Sequence, residues 1–574
     1  MPLRPYAALP IIWALVILAL TLLPAADMPV TPKWELLAFD TAAHAGVFGL
    51  LALLSWVSLR RQRRWPRLAR HPGWPLLLGC FLFGGLIEVL QTSMHMGRQG
   101  DVKDLIGDTI GAALALGLAW LVRHRIPGGY AVALLTLLLG SGYKSAAQDM
   151  ARARQNIEKL ASPEMHGRGY VQQGEHMAAA YLRTWLKELK LEPLAPNYTQ
   201  PFALDVNTFP GAITAAVHNA QRNQPTTSKL EVGRDFIMEA SSGGQPKQKL
   251  RFFPLDSTCF KAAADTAANP NEARPKSVIS LKGKCLLITQ RQKAKIPGLP
   301  QSARTWLASA SATATVVPKL TASLSAVQDE RPQLEIVASS PVLKGIVPGT
   351  TAELTLGVEA QLLRSYQTQN LAAVIRGTVQ PDSFLVVSAH YDHLGMMGKD
   401  VYFPGANDNA SGVAMLLELA AHYAKPENRP AYSVVFLLFG AEEAGLVGSS
   451  YFVAHPLVPL KSIKFLINLD LLGTGEQGAT VVNGRVFEPA YRRLTALNDA
   501  HHYLPALGAR GRAANSDHFP FSEAGVPAFF LYTRGGSAAY HDVNDQPAAL
   551  SLAGFPGAFN LVRDFLNELG ASPK

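Results

Sequence analysis

The sequence predicts a multi-domain chain: an N-terminal helical transmembrane bundle, then an α/β domain interrupted by a β-rich insert. Three observations carry this. The first 145 residues hold long apolar runs with almost no polar face. From about 366 onward, buried-strand patterns alternate with helical ones. Between them, from about 207 to 365, short alternating runs are broken by Ser, Thr and Pro. At 574 residues the chain is too long for one core.

The apolar runs cover roughly 7–26, 43–59, 74–92, 105–122 and 129–143. The first four are near the length that crosses a hydrocarbon core of about 30 Å, where only helical backbone satisfies its own polar groups. A buried soluble helical bundle is the alternative, and the near-absence of polar faces argues against it. Arg60, Arg61, Arg63, Arg64, Arg67 and Arg70 lie between runs two and three, and Arg123 and Arg125 between runs four and five. Positive loops stay in the cytoplasm. Both clusters therefore put the N-terminus inside, with Arg4, and everything after run five on the periplasmic or extracellular side of a bacterial inner membrane. Run five is short and is followed by "KSAAQD", so residues 126–150 read as a fifth anchor or an internal cleavable signal plus linker.

The net charge of +10 calls for no nucleic acid, because loop arginines of the membrane part account for much of it and no basic–aromatic pattern occurs. Of three cysteines, Cys80 lies in a membrane run, while Cys259 and Cys285 fall in the exported part, where a disulfide can survive.

Ionisable residues at membrane depth are costly and mark sites. Asp40 and His44 share one helical face of run two, Glu88 and Gln91 close run three, and Arg98, Asp101, Asp104 and Asp108 lead into run four. Several of these also read as solvated helix ends. The segments "DTAAH", "EVLQ" and "RQGDVKDLIGDTIGAALALG" resemble the VanZ-like membrane family, a four-helix module, over residues 1–125. That family often has Asn at the position of Asp108.

Residues 152–191 read as helical, with Ala178, Tyr181, Leu182, Trp185 and Leu189 on one face. The preceding "LASPEMHGRGY" is a Gly-punctuated loop in which His166 and Arg168 are structural or substrate-side rather than metal ligands. In the β-rich region, "KCLLITQ" and "LEIVASS" read as strands, with no cluster of ligand residues. Beyond 366, "NLAAVIRG", "SFLVVSAHYD", "YSVVFLLFG" and "KFLINLDLLG" read as buried strands, and "ASGVAMLLELAAHYA" and "AFNLVRDFLNEL" as helices. This is a sheet with helices on both faces, whose sites lie at the carboxyl ends of strands.

His390 and Asp392 follow one strand, Asp408 opens a helix, Glu442 and Glu443 follow the next strand, Asp470 ends another, and His541 sits in a late loop. Unpaired buried charge is costly, so carboxylate and imidazole at successive strand ends predict bound divalent metal over a salt-bridged polar cleft. Zinc takes both ligand types, and paired ions need a bridging carboxylate. A further carboxylate must stay off the metals as general base, and adjacent Glu442 and Glu443 suit that division.

The motifs "SAHYDHLG", "GANDNASGVAMLLELA", "FGAEEAGLVGS", "NLDLLG" and "SDHFPFSEAGVPAFFL" resemble the co-catalytic zinc aminopeptidase family, which includes glutamate carboxypeptidase and glutaminyl cyclase. The resemblance covers 151–206 and 366–574 and implies an α/β zinc-exopeptidase fold with a mixed sheet and two Zn²⁺ ions. It implies that His390 and Asp470 hold one zinc, Glu443 and His541 the other, and that Asp408 bridges them. It makes Glu442 the general base and Asp392 the partner orienting His390, and it implies a cis peptide between Asp408 and Asn409. His393, out of step with His390 and Asp392, reads as a bystander. The insert, 207–365, resembles a protease-associated domain, best in "LKGKCLLITQR". The expected activity is trimming of peptide N-termini. A carboxypeptidase of the same chemistry would need a basic pocket, for which Arg534 is the candidate beside Tyr540. A glutaminyl cyclase keeps one zinc, and an inactive peptide-binding ectodomain would have lost ligands or base, whereas this chain retains the full set. The expected partners are peptides and, through the N-terminal helices, the lipid bilayer.

Overall fold

The computed structural model describes residues 5–21, 39–61, 68, 72–93, 102–122, 148–219, 226–256 and 279–571. The chain forms two compact units, residues 1–146 and 147–574.

Among its described residues, the first unit has four helices: α1 (Pro5–Thr21), α2 (Phe39–Arg61), α3 (Gly73–Ser93) and α4 (Val102–Val122). Small residues let their backbones meet. A Cβ on Gly111 of α4 would lie 1.9 Å from the Ala45 carbonyl oxygen of α2, and one on Gly84 of α3 would lie 2.8 Å from Asp108 Oδ2. The outward faces are apolar, with Trp74, Leu82, Leu86, Val89, Ile106, Ile110, Leu114 and Trp120 exposed. Among the described residues one helix, over Gly73–Leu90, is long and apolar enough to cross a membrane. Glu88 is half-buried on α3, and Asp108 is buried on α4. Asp40, His44, Gln91 and Asp104 lie within helices, with side chains outside the described set. Arg98, Asp101, Cys259 and run five lie outside the described residues altogether.

The second unit begins with α5 (Met150–Leu160) and α6 (Gly174–Glu188). On α6, Ala178 and Leu182 are buried as the periodicity predicts; Ala179 and Leu186 are buried with them, while Tyr181, Trp185 and Leu189 are only partly covered. The buried stripe thus lies to one side of the predicted one. The main sheet is ordered β1 (Glu192–Pro193), β11 (Gln361–Ile375), β13 (Tyr432–Phe439), β12 (Gln380–His390), β14 (Ile463–Leu469), β17 (Ala528–Thr533), β15 (Ala479–Val482), β16 (Leu507–Ala509), with β2 (Thr199–Thr208) on β11. The central strands β13, β12, β14 and β17 are parallel, and β11 and β15 run antiparallel to their inner neighbours.

Strand residues divide by parity between two cores, as the pleat requires. Leu385, Val387, Val434, Phe436 and Leu438 face α8 (Gly412–Tyr423) and α12 (Phe555–Gly570), along with α5 and α6. Val386, Val435, Leu437 and Phe439 face Phe452 of α9 (Val447–Ala454) and Phe521 of α11 (His518–Glu523). The near-continuous apolar strands of the sequence are those covered on both faces.

A second sheet has the order β4 (Thr226–Lys229), β3 (Ile213–Asn219), β10 (Glu353–Val358), β6 (Gln245–Pro254), β7 (Lys284–Thr289), β8 (Ala312–Val317), β9 (Gln333–Val337), β5 (Phe236–Met238). It has its own core, centred on Phe236, Leu250, Cys285, Leu334 and Leu354. The chain leaves and re-enters the main sheet at neighbouring points, where Thr208 of β2 pairs with Gln361 of β11. Of the expected Cys259–Cys285 pair, Cys259 lies outside the described residues; Cys285 is a free thiol wholly buried on β7, and burial pushes its pKa up to about 12. It serves as an apolar side chain in a packed strand.

Candidate metal centre

The parallel strands deliver their following residues to one edge. His390 is the last residue of β12, Asp470 follows β14 directly, and Glu442 and Glu443 follow β13 after Gly440 and Ala441. Asp408 lies in the turn Ala406–Ser411 that leads into α8, and the peptide between Asp408 and Asn409 is cis. His541 comes from the loop after β17, with φ of 55°. These residues converge on Asp408. His390 Nε2 lies 3.4 Å from Asp408 Oδ1 and 3.4 Å from Asp470 Oδ1. His541 Nε2 lies 3.2 Å from Asp408 Oδ2 and 3.1 Å from Glu443 Oε2.

Each of these groups is held from behind. Asp392 accepts the backbone N–H groups of Glu442 and Glu443, at 3.1 and 3.3 Å, while His390 Nδ1 lies 3.2 Å from the Asp392 main-chain carbonyl and 3.8 Å from its Oδ1. It therefore ties the β12 end to the β13 end. The Ser516 hydroxyl donates to Asp470 Oδ2 at 2.8 Å. Asp545 accepts the N–H groups of Asn407 and Asp408, fixing the turn. Arg168 is wholly buried and donates to the carbonyls of Tyr391, Leu160, Pro404, Gly405 and Asp408. Of the two roles the sequence leaves open for Arg168, structural or substrate-side, these bonds fit the structural one. His166, in the same left-handed stretch at φ of 46°, is only partly buried.

His393 is no bystander. It is wholly buried, and its Nδ1 lies 2.7 Å from Glu443 Oε1. The strand ends at His390, so the two-residue alternation used to set His393 aside does not continue to it.

Burial alone would lower His390 and His541. The carboxylates around them overcome this, led by Glu442 for His390 and Glu443 for His541, so that His390 is pushed well above its usual value and His541 to about 11. Burial pushes the Asp392 carboxyl up to about 7 and raises Glu442 well above the usual carboxylate range. The pocket thus holds more buried acid than its imidazoles can balance, and it favours cations. Asp470 Oδ1 is buried and makes no hydrogen bond, facing His390 Nε2. Ligand atoms of His390, Glu442 and Asp470 lie within 4.8 Å of one another, as do those of His390, Asp408 and Glu443. Two donors at about 2.0–2.1 Å on a tetrahedral ion lie roughly 3.3 Å apart, close to the 3.1–3.4 Å between the imidazole and carboxylate atoms here. Imidazole and carboxylate in this spacing fit zinc.

Tyr540 stacks on His541, ring centroids 3.9 Å apart, and is half exposed. Arg534 is not brought to this cluster: it leaves β17 with its N–H on Gly478 O, and no contact among the described residues joins its side chain to the metal-type groups. Sequence reasoning missed Asp517, wholly buried next to Ser516, whose carboxyl burial pushes up to about 7. Its one signal was the acidic residue inside "NSDHF", directly before the short helix α11.

Residues 370–566 match the model of Peptidase family M28, and residues 11–123 that of VanZ/LLP1. A probable zinc metalloprotease of Pyricularia oryzae is 36% identical over 126 residues, covering 21% of this chain and 25% of the relative. An aminopeptidase of Pseudomonas aeruginosa is 24% identical over 410 residues, covering 67% of this chain and 70% of the relative. The zinc aminopeptidase of Bacillus subtilis shares the fold, with a TM-score of 0.52 at 20% identity over 74% of this chain and 95% of that one. The chain carries a peptidase family M28 domain behind a VanZ-like N-terminal domain.

Proposed function

We propose that the protein is a membrane-anchored metallo-exopeptidase that removes N-terminal residues from peptides with two zinc ions. The carrying observation is the placement of Asp408 between two histidines, Oδ1 toward His390 and Oδ2 toward His541. That is the arrangement of a carboxylate shared by two ions. His390 and Asp470 would hold one zinc, Glu443 and His541 the other, and Asp408 both. When bound, the ions supply Lewis acidity, which acidifies water and polarises a peptide carbonyl.

Glu442 is the general base. It lies beside the cluster, and its raised proton affinity suits a group that takes a proton from the attacking water and returns it to the leaving amine. Asp392 keeps His390 and the Glu442–Glu443 backbone in register. Tyr540, half exposed over His541, offers substrate an aromatic face. The apolar outer surfaces of α3 and α4 and the arginine loops support the membrane assignment, with the N-terminus cytoplasmic and the peptidase domain outside.

The test is a peptide library incubated with purified protein, with and without chelator, beside Glu442→Gln. N-terminal trimming that chelation abolishes and zinc restores is expected. The variant should retain zinc and lose turnover by about 10²–10⁴-fold. Near-normal turnover in Glu442→Gln would overturn the assignment.

A further inference from the structure

The acceptor that orients His541 does not come from the peptidase sheet. It comes from the inserted domain. After β8 ends at Val317, the chain crosses to the loop that follows β17. Ala322 and His541 bond to each other twice there. The Ala322 N–H donates to the His541 carbonyl at 3.1 Å, and His541 Nδ1 lies 2.8 Å from the Ala322 carbonyl. A carbonyl oxygen can only accept, so Nδ1 carries a proton, and in the neutral ring that a metal requires Nε2 is the lone-pair nitrogen. Nε2 is the atom that faces Asp408 and Glu443.

Two further contacts come from the same domain. The Lys319 ammonium donates to the carbonyls of Ala538 and Tyr540, at 2.5 and 3.2 Å. Gly233, in the turn before β5, comes so near Val543 that a Cβ there would lie 2.7 Å from Val543 Cγ1. The insert therefore grips the loop on both sides of His541. His541 itself stands at φ of 55°, a left-handed conformation that a non-glycine residue keeps only when its surroundings impose it. The bonds just described hold the backbone at and beside His541.

We propose that the strap 319–322 of the inserted domain is a positioning element for His541, so that the insert completes the metal centre rather than merely covering it. The strap fixes which imidazole nitrogen faces the metal pocket, and it holds the loop in the backbone conformation that points the ring there. The inference rests on the two-zinc reading above. It makes the two metals unequal: the ion held by Glu443 and His541 depends on the insert, and the ion held by His390 and Asp470 does not.

The experiment uses the full chain, stripped of metal and titrated with zinc against a competing chelator, and in parallel with cobalt(II) followed by visible absorption. Lys319→Ala removes both ammonium bonds, Lys319→Arg restores a donor, and Ala322→Pro deletes the N–H given to His541. For Lys319→Ala and Ala322→Pro, one of the two ions should bind about 10–100-fold more weakly, the other should stay within about twofold, and Lys319→Arg should return to wild type. Equal weakening of both ions, or no weakening in either variant, overturns the proposal. A wild type that takes a single ion defeats the two-zinc reading. The strap then stands if that ion weakens in Lys319→Ala and recovers in Lys319→Arg, and falls if it does neither.

Discussion

Replacing Arg168 by lysine tests whether one buried side chain holds the floor of the site. The guanidinium is wholly buried and makes five hydrogen bonds to carbonyls: Nε to Tyr391 (2.8 Å), Nη1 to Leu160 and Pro404 (2.8 and 2.7 Å), Nη2 to Gly405 and Asp408 (2.8 and 3.1 Å). Burial pulls its pKa down to about 10 against the nearby carboxylates, led by Asp408, so it is charged at neutral pH. A lysine ammonium has three donors at a single point, so at least two of the five bonds are lost. Hydrogen bonds to a charged group are worth about 1.5–3 kcal/mol each, giving a loss of roughly 3–6 kcal/mol for Arg168→Lys. Native domains hold only about 5–15 kcal/mol in total, so Arg168→Met, which strands all five carbonyls, is expected not to yield folded protein. The assay is urea unfolding of wild type and Arg168→Lys followed by tryptophan fluorescence. A difference below about 1 kcal/mol would refute the reasoning.

Three further outcomes follow from the same geometry. His393→Ala removes the 2.7 Å partner of Glu443 Oε1. A charge-assisted bond of about 1.5–3 kcal/mol, at roughly 1.36 kcal/mol per tenfold, predicts about 10–150-fold weaker zinc binding on that side; chelator competition within about threefold of wild type would count against it. The raised His390 and His541 mean that the metal-free protein carries protons on both rings at neutral pH. Zinc needs the neutral imidazole, so loading should release protons into a weakly buffered indicator solution. The His541 contribution to metal-free stability is complete below its ordinary value of 6.5 and is lost as pH rises through about 11. The metal-free protein should therefore lose melting temperature over that range and the zinc-loaded protein should not; absent proton release or a flat metal-free profile would contradict the assignment.

The sheet and the residues gathered at its edge were legible because each rests on local pattern. Apolar runs such as "YSVVFLLF" announce buried strands, and polar residues at their ends mark the edge where parallel strands place a site. The supports were not legible, for different physical reasons. Arg168 contributes through five backbone carbonyls from three chain segments, and backbone atoms leave no signature in side-chain identity. Ala322 acts through its peptide group alone, so no sequence pattern distinguishes it from any other alanine. His393 was set aside because strand alternation was carried three residues past the end of the strand. The cysteine pair was judged by shared compartment, whereas Cys285 proves to be a core residue of β7.

The neck of the insert bears on how such a protein can change over generations. Thr208 and Gln361 already lie paired across a ladder, so the whole intervening segment could be gained or excised by joining two neighbouring points, leaving the peptidase sheet unbroken. Insertions are tolerated where chain ends lie close together in this way. The Ala322–His541 pair works in the opposite direction, because a clean excision also removes the acceptor that His541 uses. A descendant that dropped the insert would have to evolve a substitute carbonyl or carboxylate for this imidazole, so the lineage is easy to edit in its chain path and constrained in its chemistry.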